Sequence, residues 1–384
     1  MKKPHRASKV RPQSKRSKKV GSRSRAPIAI DLFCGAGGMS LGFDRAGFRL
    51  AAAVDLSKIN TNIHEKNFPN ATTICEDVKN LTGAMLRRRA GLGREKIAVV
   101  FGGPPCQGFS IGGKRNARDP RNLLMLEFAR LVVELRPRYF VMENVAGLLR
   151  PQHSPVLARF KYRLRRGGYS IVDPILSLNA ADFGVPQRRK RAFILGYRGG
   201  ETAPTYPDPV RTLVTVGAAI DDLKCVERDQ LVDGDGYTGR LGTPSAYARQ
   251  LRRPLGATMN GSRIITGFAR TTHSLKTIKR FKRVKPGGVD SVSRFIRLKR
   301  SGVAPTLRAG TGFENGRFMA PRPIHPDYPR CICLREAARL HSFPDWFVFH
   351  ETKWHGFMQI GNSVPPVLAH AVAAEMMKVL ANQT

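Results

Sequence analysis

Residues 97–110 read IAVVFGGPPCQGFS, and this stretch decides both the fold and the site that we expect in the chain. Its first five residues are apolar and rich in β-branched side chains, which is typical of a buried parallel strand. Two glycines then end the strand and let a ligand approach the backbone closely. Two prolines follow and fix two φ angles, so Cys106 is held rigidly at the carboxyl end of the strand, where open α/β sheets bind their ligands.

Cys106 has two interpretations. A cysteine is most often a small, buried, hydrophobic residue. The stiff and glycine-flanked position of Cys106 favours a nucleophile instead, and the glycines of residues 107–113 predict a flexible loop able to close over a substrate. The tetrapeptide PPCQ at residues 104–107 resembles the catalytic motif of the C-5 cytosine-specific DNA methyltransferases. The remaining motifs of the sequence bear on the same resemblance.

The charge of the chain points to a nucleic-acid partner. The 384 residues carry a formal net charge of +38, and such an excess indicates binding to a polyanion. Residues 1–26 contribute eleven of these charges and no acid, and we expect a disordered basic tail there. Subtracting the eleven from +38 leaves +27, so the folded part is basic as well.

Other compositional features narrow the class of protein. The sequence has no run of 18 apolar residues, so we predict no membrane span. Six cysteines in a chain of this length do not suggest a disulfide framework, which indicates a reducing, intracellular compartment. The closely spaced Cys331 and Cys333 do not argue for zinc, and we expect no metal site.

The second motif lies near the start of the chain. An apolar strand at residues 28–33 runs into a glycine loop and then a helical pattern, a unit that presents backbone N–H groups to a ligand. Ser40 occupies the position of the third glycine of the dinucleotide fingerprint, which disfavours a nicotinamide cofactor. The sequence DLFCGAGG at residues 31–38 instead resembles the S-adenosylmethionine loop of the same methyltransferase family.

This resemblance implies a set of residues that hold S-adenosylmethionine. Asp55 follows the second strand and would accept hydrogen bonds from the ribose hydroxyls, although the family usually has glutamate there. Asp77, at the end of the third strand, would bind the adenine amino group. The other cofactor-binding residues that the family motifs imply are Phe33, Gly35, Gly37, Pro104, Leu124, Asn362 and Val364.

The resemblance also implies the catalytic residues. The triplet ENV that begins at Glu143 matches the second catalytic motif of the family, and QRRKR at residues 187–191 matches a further motif through Arg189 and Arg191. We expect the Cys106 thiolate to add to C6 of a cytosine flipped out of duplex DNA while Glu143 holds or protonates N3. Arg189 would hydrogen-bond the base O2, and Arg191 would support the loop electrostatically.

The family motifs cover about residues 28–380 in the usual order. They imply an α/β fold with a doubly wound, mixed, Rossmann-like sheet and a smaller inserted target-recognition domain. The basic and Thr-rich composition of that insertion suits readout of a DNA groove. The predicted parts are a disordered tail at 1–26, a catalytic and cofactor-binding domain at 27–198, a target-recognition domain at 199–340, and a hinge with a returning C-terminal helix at 341–384.

Three other functions remain open at this point. An RNA cytosine methyltransferase on the same fold would carry a Cys-Phe-Thr signature, which the recognition region lacks. A nonenzymatic DNA-binding relative is disfavoured because Cys106, Glu143 and Arg189 are all present. A nicotinamide-dependent oxidoreductase is disfavoured by Ser40 and by the charge. We expect a monomer that acts on double-stranded DNA in the cytoplasm, associated with the nucleoid, with a cognate restriction endonuclease as a further partner.

Overall fold

The computed structural model describes residues 26–105, 123–210, 212–226, 228–252, 264–310 and 322–382. The basic tail at residues 1–25 and the segment 106–122 lie outside the described residues. The predictions for the tail and for Cys106 are therefore expectations from sequence alone.

Within the described residues, eight strands form one sheet in the order β3-β2-β1-β4-β5-β8-β6, with β7 also paired to β8. The five strands from β3 to β5 in this order are parallel, and β8 runs antiparallel to β5, β6 and β7. The order reverses between β1 and β4, so the crevice at their carboxyl ends is where such sheets bind ligands. The strands are β1 Ile28–Leu32, β2 Arg49–Asp55, β3 Thr72–Cys75, β4 Ile97–Gly102, β5 Tyr139–Val145, β6 Tyr169–Ile171, β7 Leu176–Asn179 and β8 Lys190–Arg198.

Helices cover both faces of the sheet, which confirms the predicted doubly wound α/β fold. Side chains of β5 alternate between two apolar clusters: Val141 packs with α1 and α11, whereas Phe140 packs with α4 and α5. The described α-helices are α1 Gly38–Arg45, α2 Lys58–Asn67, α3 Gly83–Arg89, α4 Leu124–Leu135, α5 Ser154–Arg166, α6 Val216–Ile220, α7 Ala246–Arg252, α8 Leu275–Arg283, α9 Leu334–Leu340, α10 Lys353–Asn362 and α11 Pro366–Ala381.

The C-terminal helix α11 returns to the first helix, as the family motifs imply. A Cβ atom on Gly42 of α1 would lie 2.4 Å from the Cβ of Ala369, so a glycine is needed for this close crossing. By length and composition alone, Lys353–Ala381 is the one stretch of the described chain that could cross a membrane. However, 61% of its most apolar window is buried inside the protein, which is the pattern of a core helix.

Two strands differ from the sequence-based prediction. The largely apolar run at residues 138–142 predicts a strand that Glu143 and Asn144 follow, but both residues lie inside β5 because β8 pairs with them through Phe193 and Ala192. The sequence of residues 169–178 predicts a pair of strands, which would place β6 beside β7. Instead, each pairs with β8, whose nine residues are long enough to hold the two short strands one after the other.

The boundary between the catalytic and recognition domains remains a prediction. Apolar side chains of the region assigned to recognition, including Val216, Tyr247 and Phe268, belong to the same apolar cluster as α1 and α11. A small separate cluster forms around Phe281 and Ile324 near α8. Much of the C-terminal half therefore packs on the core that carries the sheet.

Candidate active site

The loop between β1 and α1 has an unusual backbone. Phe33, Gly35 and Gly37 have φ angles of 69°, 54° and 105°, in the left-handed region that residues other than glycine seldom adopt. A Cβ atom on Gly35 would meet no heavy atom within 4 Å, so the loop is open on that side. A Cβ atom on Gly37 would lie 2.4 Å from the ring of Phe68, so the loop rests on that side chain. The loop is thus supported on one side and free to receive a ligand on the other.

Asp55, the last residue of β2, joins this loop to α2. Its Oδ2 accepts a hydrogen bond from the Gly35 N–H at 2.9 Å. Its Oδ1 accepts from the Ser57 N–H at 2.9 Å and from the Asn60 side chain at 3.2 Å. Each carboxylate oxygen has about two acceptor positions, so Oδ1 is occupied while Oδ2 keeps one for a ligand hydroxyl. The short Asp55 side chain therefore holds the glycine loop and the start of α2 together through hydrogen bonds.

The remaining predicted cofactor residues lie around the same edge of the sheet. Asp77 is half-buried, and its Oδ1 accepts a hydrogen bond from the Lys79 N–H at 3.0 Å, which caps the turn after β3. Leu124 begins α4 and packs against the apolar cluster beneath the sheet. Val364 is buried, and its carbonyl oxygen lies 2.4 Å from the position that a Cβ atom on Gly38 would take.

Asn362 and Pro104 complete the predicted set. Asn362 is exposed at the end of α10, two residues before Val364. Pro104 is buried, and its carbonyl oxygen accepts a hydrogen bond from the Asn144 side chain at 3.3 Å. This contact fixes the segment that leads to Cys106 against β5.

Glu143 lies directly over the same segment. A Cβ atom on Gly103 would sit 2.7 Å from Glu143 Oε2, so only glycine lets the carboxylate approach the backbone three residues before Cys106. Glu143 Oε1 forms an ion pair with Arg191 Nε at 2.8 Å, and both side chains are largely buried. Burial raises the pKa of Glu143 above its usual value, while the positive charges of Arg191 and Arg189 oppose that rise. A carboxyl group in this setting retains a proton more readily than an exposed one.

Arg189 occupies a different environment from Arg191. It is 1% exposed, and its guanidinium donates hydrogen bonds to the carbonyl oxygens of Leu307 at 3.0 Å, Gly361 at 2.6 Å and Ser363 at 2.8 Å. This placement favours a structural role for Arg189, because backbone carbonyls in the core engage its guanidinium, and the expected contact with the base stays a prediction. Arg191, which was expected only to support the loop, is the arginine that contacts Glu143.

Gln187 and His341 form a buried polar cluster with Arg189, because each of the three forms a hydrogen bond with the backbone of Leu307 or Ser363. His341 accepts a hydrogen bond from the Gln187 amide at Nδ1, 2.9 Å away, and donates from Nε2 to the Ser363 carbonyl at 2.9 Å. Gln187 also accepts from the Leu307 N–H at 3.0 Å. Burial lowers the pKa of His341 well below its ordinary value, so the ring is neutral. Gln187 belongs to the arginine motif, but no local pattern marks His341, which is 154 residues away.

Comparisons with known proteins agree with this geometry. Residues 28–378 match the model of the C-5 cytosine-specific DNA methylase family. The Type II methyltransferase M.XorII of Xanthomonas oryzae pv. oryzae is 49% identical over 92% of this chain and 85% of its own length. M1.HphI of Haemophilus parahaemolyticus, also a Type II methyltransferase, is 34% identical over 92% of this chain and 87% of its own length.

A solved structure supports the same assignment. The crystal structure of a proposed DNA modification methyltransferase encoded within a prophage (E. coli) has a TM-score of 0.79 and 34% identity, covering 93% of this chain and 100% of that one. The chain belongs to the C-5 cytosine-specific DNA methylase family and is an enzyme that transfers a methyl group from S-adenosylmethionine to C5 of cytosine in DNA.

Proposed function

We propose that Cys106, Glu143 and Arg191 act on the cytosine and that Arg189 maintains the site from within the core. The observation that carries this assignment is the ion pair between Glu143 and Arg191, which lies over the backbone of Gly103. An acid and a guanidinium are thereby held beside the segment that leads to the nucleophile. The donor capacity of Arg191 suits the base O2, the role that we first gave to Arg189.

In this proposal the target cytosine leaves the helix, at a cost of about a few kcal/mol, because the face of a paired base is inaccessible. The Cys106 thiolate forms a bond to C6, and the displaced electron pair moves through the ring to N3. Glu143 supplies or holds a proton at N3, and this proton neutralises the negative charge that develops there. C5 becomes nucleophilic as a result. C5 would then take the methyl group that S-adenosylmethionine supplies when it is bound, and N3 returns its proton to Glu143. Once C5 carries the methyl group, loss of the C5 proton to solvent and cleavage of the bond from sulfur to C6 restore the aromatic ring and free the thiolate.

The residues at the β1 and β2 ends fit S-adenosylmethionine, which supplies an electrophilic methyl group when it is bound. Open space beside Gly35 provides room above the loop, and the remaining acceptor position on Asp55 suits one ribose hydroxyl. Asp77 offers a carboxylate for the adenine amino group. We propose that Phe33, Gly37, Pro104, Leu124, Asn362 and Val364 complete the pocket.

Bisulfite sequencing of DNA from a host that expresses the protein tests the function as a whole. We expect conversion-resistant cytosines at one short sequence motif in duplex DNA. Labelled methyl transfer to duplex DNA, with tRNA as the competing substrate, separates this activity from RNA methylation. Transfer to tRNA alone would contradict the proposal.

The cofactor assignment predicts the effect of two substitutions. Asp55→Ala and Asp77→Ala should each weaken S-adenosylmethionine binding by about 1–3 kcal/mol, because each removes a half-buried hydrogen-bond acceptor. Calorimetric titration of the cofactor measures the change, and nonspecific DNA binding should persist in both variants. Glu65→Ala removes an exposed acid from α2 and serves as the control. Wild-type affinity in both aspartate variants would show that the pocket is misplaced.

We propose that α8 contacts the DNA backbone within a target-recognition domain at residues 199–340. The cations on and beside this helix fall into two groups. Arg280 is held by an ion pair with Asp290 at 2.7 Å, and Arg297 binds backbone carbonyls beside the helix, so these two serve the fold. The exposed cations of the helix are Lys276, Lys279, Lys282 and Arg283, and none of these four forms an ion pair with the residues that the structure describes.

Replacing these four cations with glutamine should weaken DNA binding on all sequences alike. The slope of log affinity against log salt should fall by about 0.9 for each phosphate contact that is lost. The methylated sequence should stay the same, because phosphate contacts carry no sequence information. The matched control replaces the four exposed arginines of α5, at positions 159, 163, 165 and 166. A larger effect of the α5 variant, or a changed methylation site in the α8 variant, would contradict this division of roles.

We further propose that the enzyme is a monomer and that it lies in the cytoplasm, associated with the nucleoid. We also propose that it has a cognate restriction endonuclease as a partner. The Type II names of its relatives support the last point, since such enzymes belong to restriction-modification systems.

A further inference from the structure

Four polar side chains beneath the glycine loop are joined by hydrogen bonds into one polar chain, which consists of Asp31, Ser40, His64 and Thr73. Ser40 Oγ lies 2.5 Å from Asp31 Oδ2 and 3.0 Å from His64 Nε2. His64 Nδ1 lies 3.1 Å from Thr73 Oγ1. Asp31, Ser40 and His64 are each at most 1% exposed. A buried polar chain is tolerated only when its members are satisfied, and the chemistry at the cytosine does not use any of these four.

This polar chain links the elements that carry the glycine loop, Asp55 and Asp77, three of the segments proposed to hold the cofactor. Asp31 lies on β1, Ser40 on α1, His64 on α2 and Thr73 on β3. β1 leads into the glycine loop, α2 begins just after Asp55, and β3 ends two residues before Asp77. A shift of any one element is therefore transmitted to the others through three short hydrogen bonds.

His64 also touches the loop directly. Its ring packs against Phe68 with a centroid separation of 4.5 Å, and the two rings lie under Gly37. A Cβ atom on Gly37 would lie 3.2 Å from His64 Cδ2 and 2.4 Å from the Phe68 ring. His64 thus contacts the loop from below while it holds Ser40.

In this polar chain, the direction in which one hydrogen bond is donated fixes the direction of the other two. Burial lowers the pKa of His64 to about 3, so its ring is neutral and carries a single N–H. When Asp31 is ionised, Ser40 donates to it, His64 Nε2 donates to Ser40, and the Thr73 hydroxyl donates to Nδ1. Burial also raises the pKa of Asp31, and a proton there reverses all three bonds together. In both arrangements every link has one donor and one acceptor, so removing one group leaves a neighbour unsatisfied.

We propose that His64 is a positioning residue for S-adenosylmethionine, which acts through Ser40 and Asp31 to fix the glycine loop in the conformation that receives the cofactor. The inference rests on the proposed placement of the cofactor at this loop. It also explains why a serine stands where the dinucleotide fingerprint has its third glycine. The serine hydroxyl is the middle link of the chain.

Three substitutions test the proposal by separating packing from hydrogen bonding. His64→Phe keeps an aromatic ring against Phe68 and removes both hydrogen bonds, so we expect the Kd and the KM for S-adenosylmethionine to rise about tenfold. The kcat at saturating cofactor should stay within about twofold. His64→Gln retains an amide donor for Ser40 and should restore most of the affinity. Thr73→Val removes only the distal hydroxyl and should raise the Kd by a smaller factor, whereas Thr72→Val, an exposed neighbour on β3, is the control.

Calorimetric cofactor binding, DNA affinity, Tm and steady-state kinetics are measured on the full-length protein. An unchanged Kd in folded His64→Phe overturns the proposal. A loss that lowers kcat and DNA binding equally, or that His64→Gln does not rescue, marks a merely structural residue and also overturns it. If His64→Phe does not fold, Thr73→Val decides by the same criterion. Wild-type protein that binds no S-adenosylmethionine would instead refute the proposed cofactor pocket.

Discussion

Replacing Cys106 with serine will reduce methyl transfer to DNA by several orders of magnitude. The reaction needs a thiolate to add to C6, and a serine hydroxyl does not ionise in the pH range in which a cysteine with a pKa of about 8.5 begins to do so. Binding of DNA and of S-adenosylmethionine should persist, because the substitution changes a single atom. Transfer of labelled methyl groups, measured at saturating cofactor, is the test.

The chain offers its own control for this experiment. Cys75 is an exposed free cysteine at the end of β3, and Cys75→Ser should leave turnover unchanged. DNA that carries 5-fluorocytosine at the target gives a second measurement, because fluorine replaces the proton that must leave C5. Wild-type protein should form a complex that resists denaturation, and Cys106→Ser should not. Near-normal turnover of the serine variant, or no trapped complex with wild type, would contradict nucleophilic catalysis by Cys106.

The sheet could be predicted because its strands are buried on both faces. Parallel strands of this kind appear as short, continuous apolar runs, and β1, β2 and β4 all do so. The extension of β5 through Glu143 and Asn144 was not predictable in this way. It depends on pairing with β8, whose residues lie some fifty positions further along the chain, and neither a glutamate nor an asparagine is typical of a strand.

The site was predictable to the extent that its motifs are local. The glycine loop, Asp55 and Asp77 lie in the predicted places at strand ends. The polar chain through His64 could not be predicted from the sequence, because its four members are spread over β1, α1, α2 and β3. Of the four, only Ser40 was notable, because it replaces the third glycine of the dinucleotide fingerprint. A motif indicates which residues are present, whereas the partners of a buried polar group depend on tertiary contacts.

Arg189 and Arg191 of the QRRKR motif show the same limit and allow a quantitative test. A spacing of two residues predicts that Arg189 and Arg191 share one face, but it does not say which of them reaches the site. The answer depends on carbonyl oxygens of Leu307, Gly361 and Ser363, which are more than a hundred residues away. We therefore expect a substitution with glutamine to reduce mainly turnover at Arg191 and mainly stability at Arg189.

Arg191→Gln should lower kcat by about 10²–10³, the usual cost of removing one donor that stabilises a reacting group, and should lower the Tm less than Arg189→Gln does. Arg189→Gln should instead lower the free energy of unfolding by about 3 kcal/mol or more, because buried carbonyl oxygens lose their donors. Thermal unfolding and single-turnover methylation of both variants measure these effects. Arg188→Gln, in the same motif and outside the polar cluster of Arg189, is the control. If Arg189→Gln keeps wild-type stability but loses turnover, then Arg189 reaches the base after all, and the assignment of the two arginines must be exchanged.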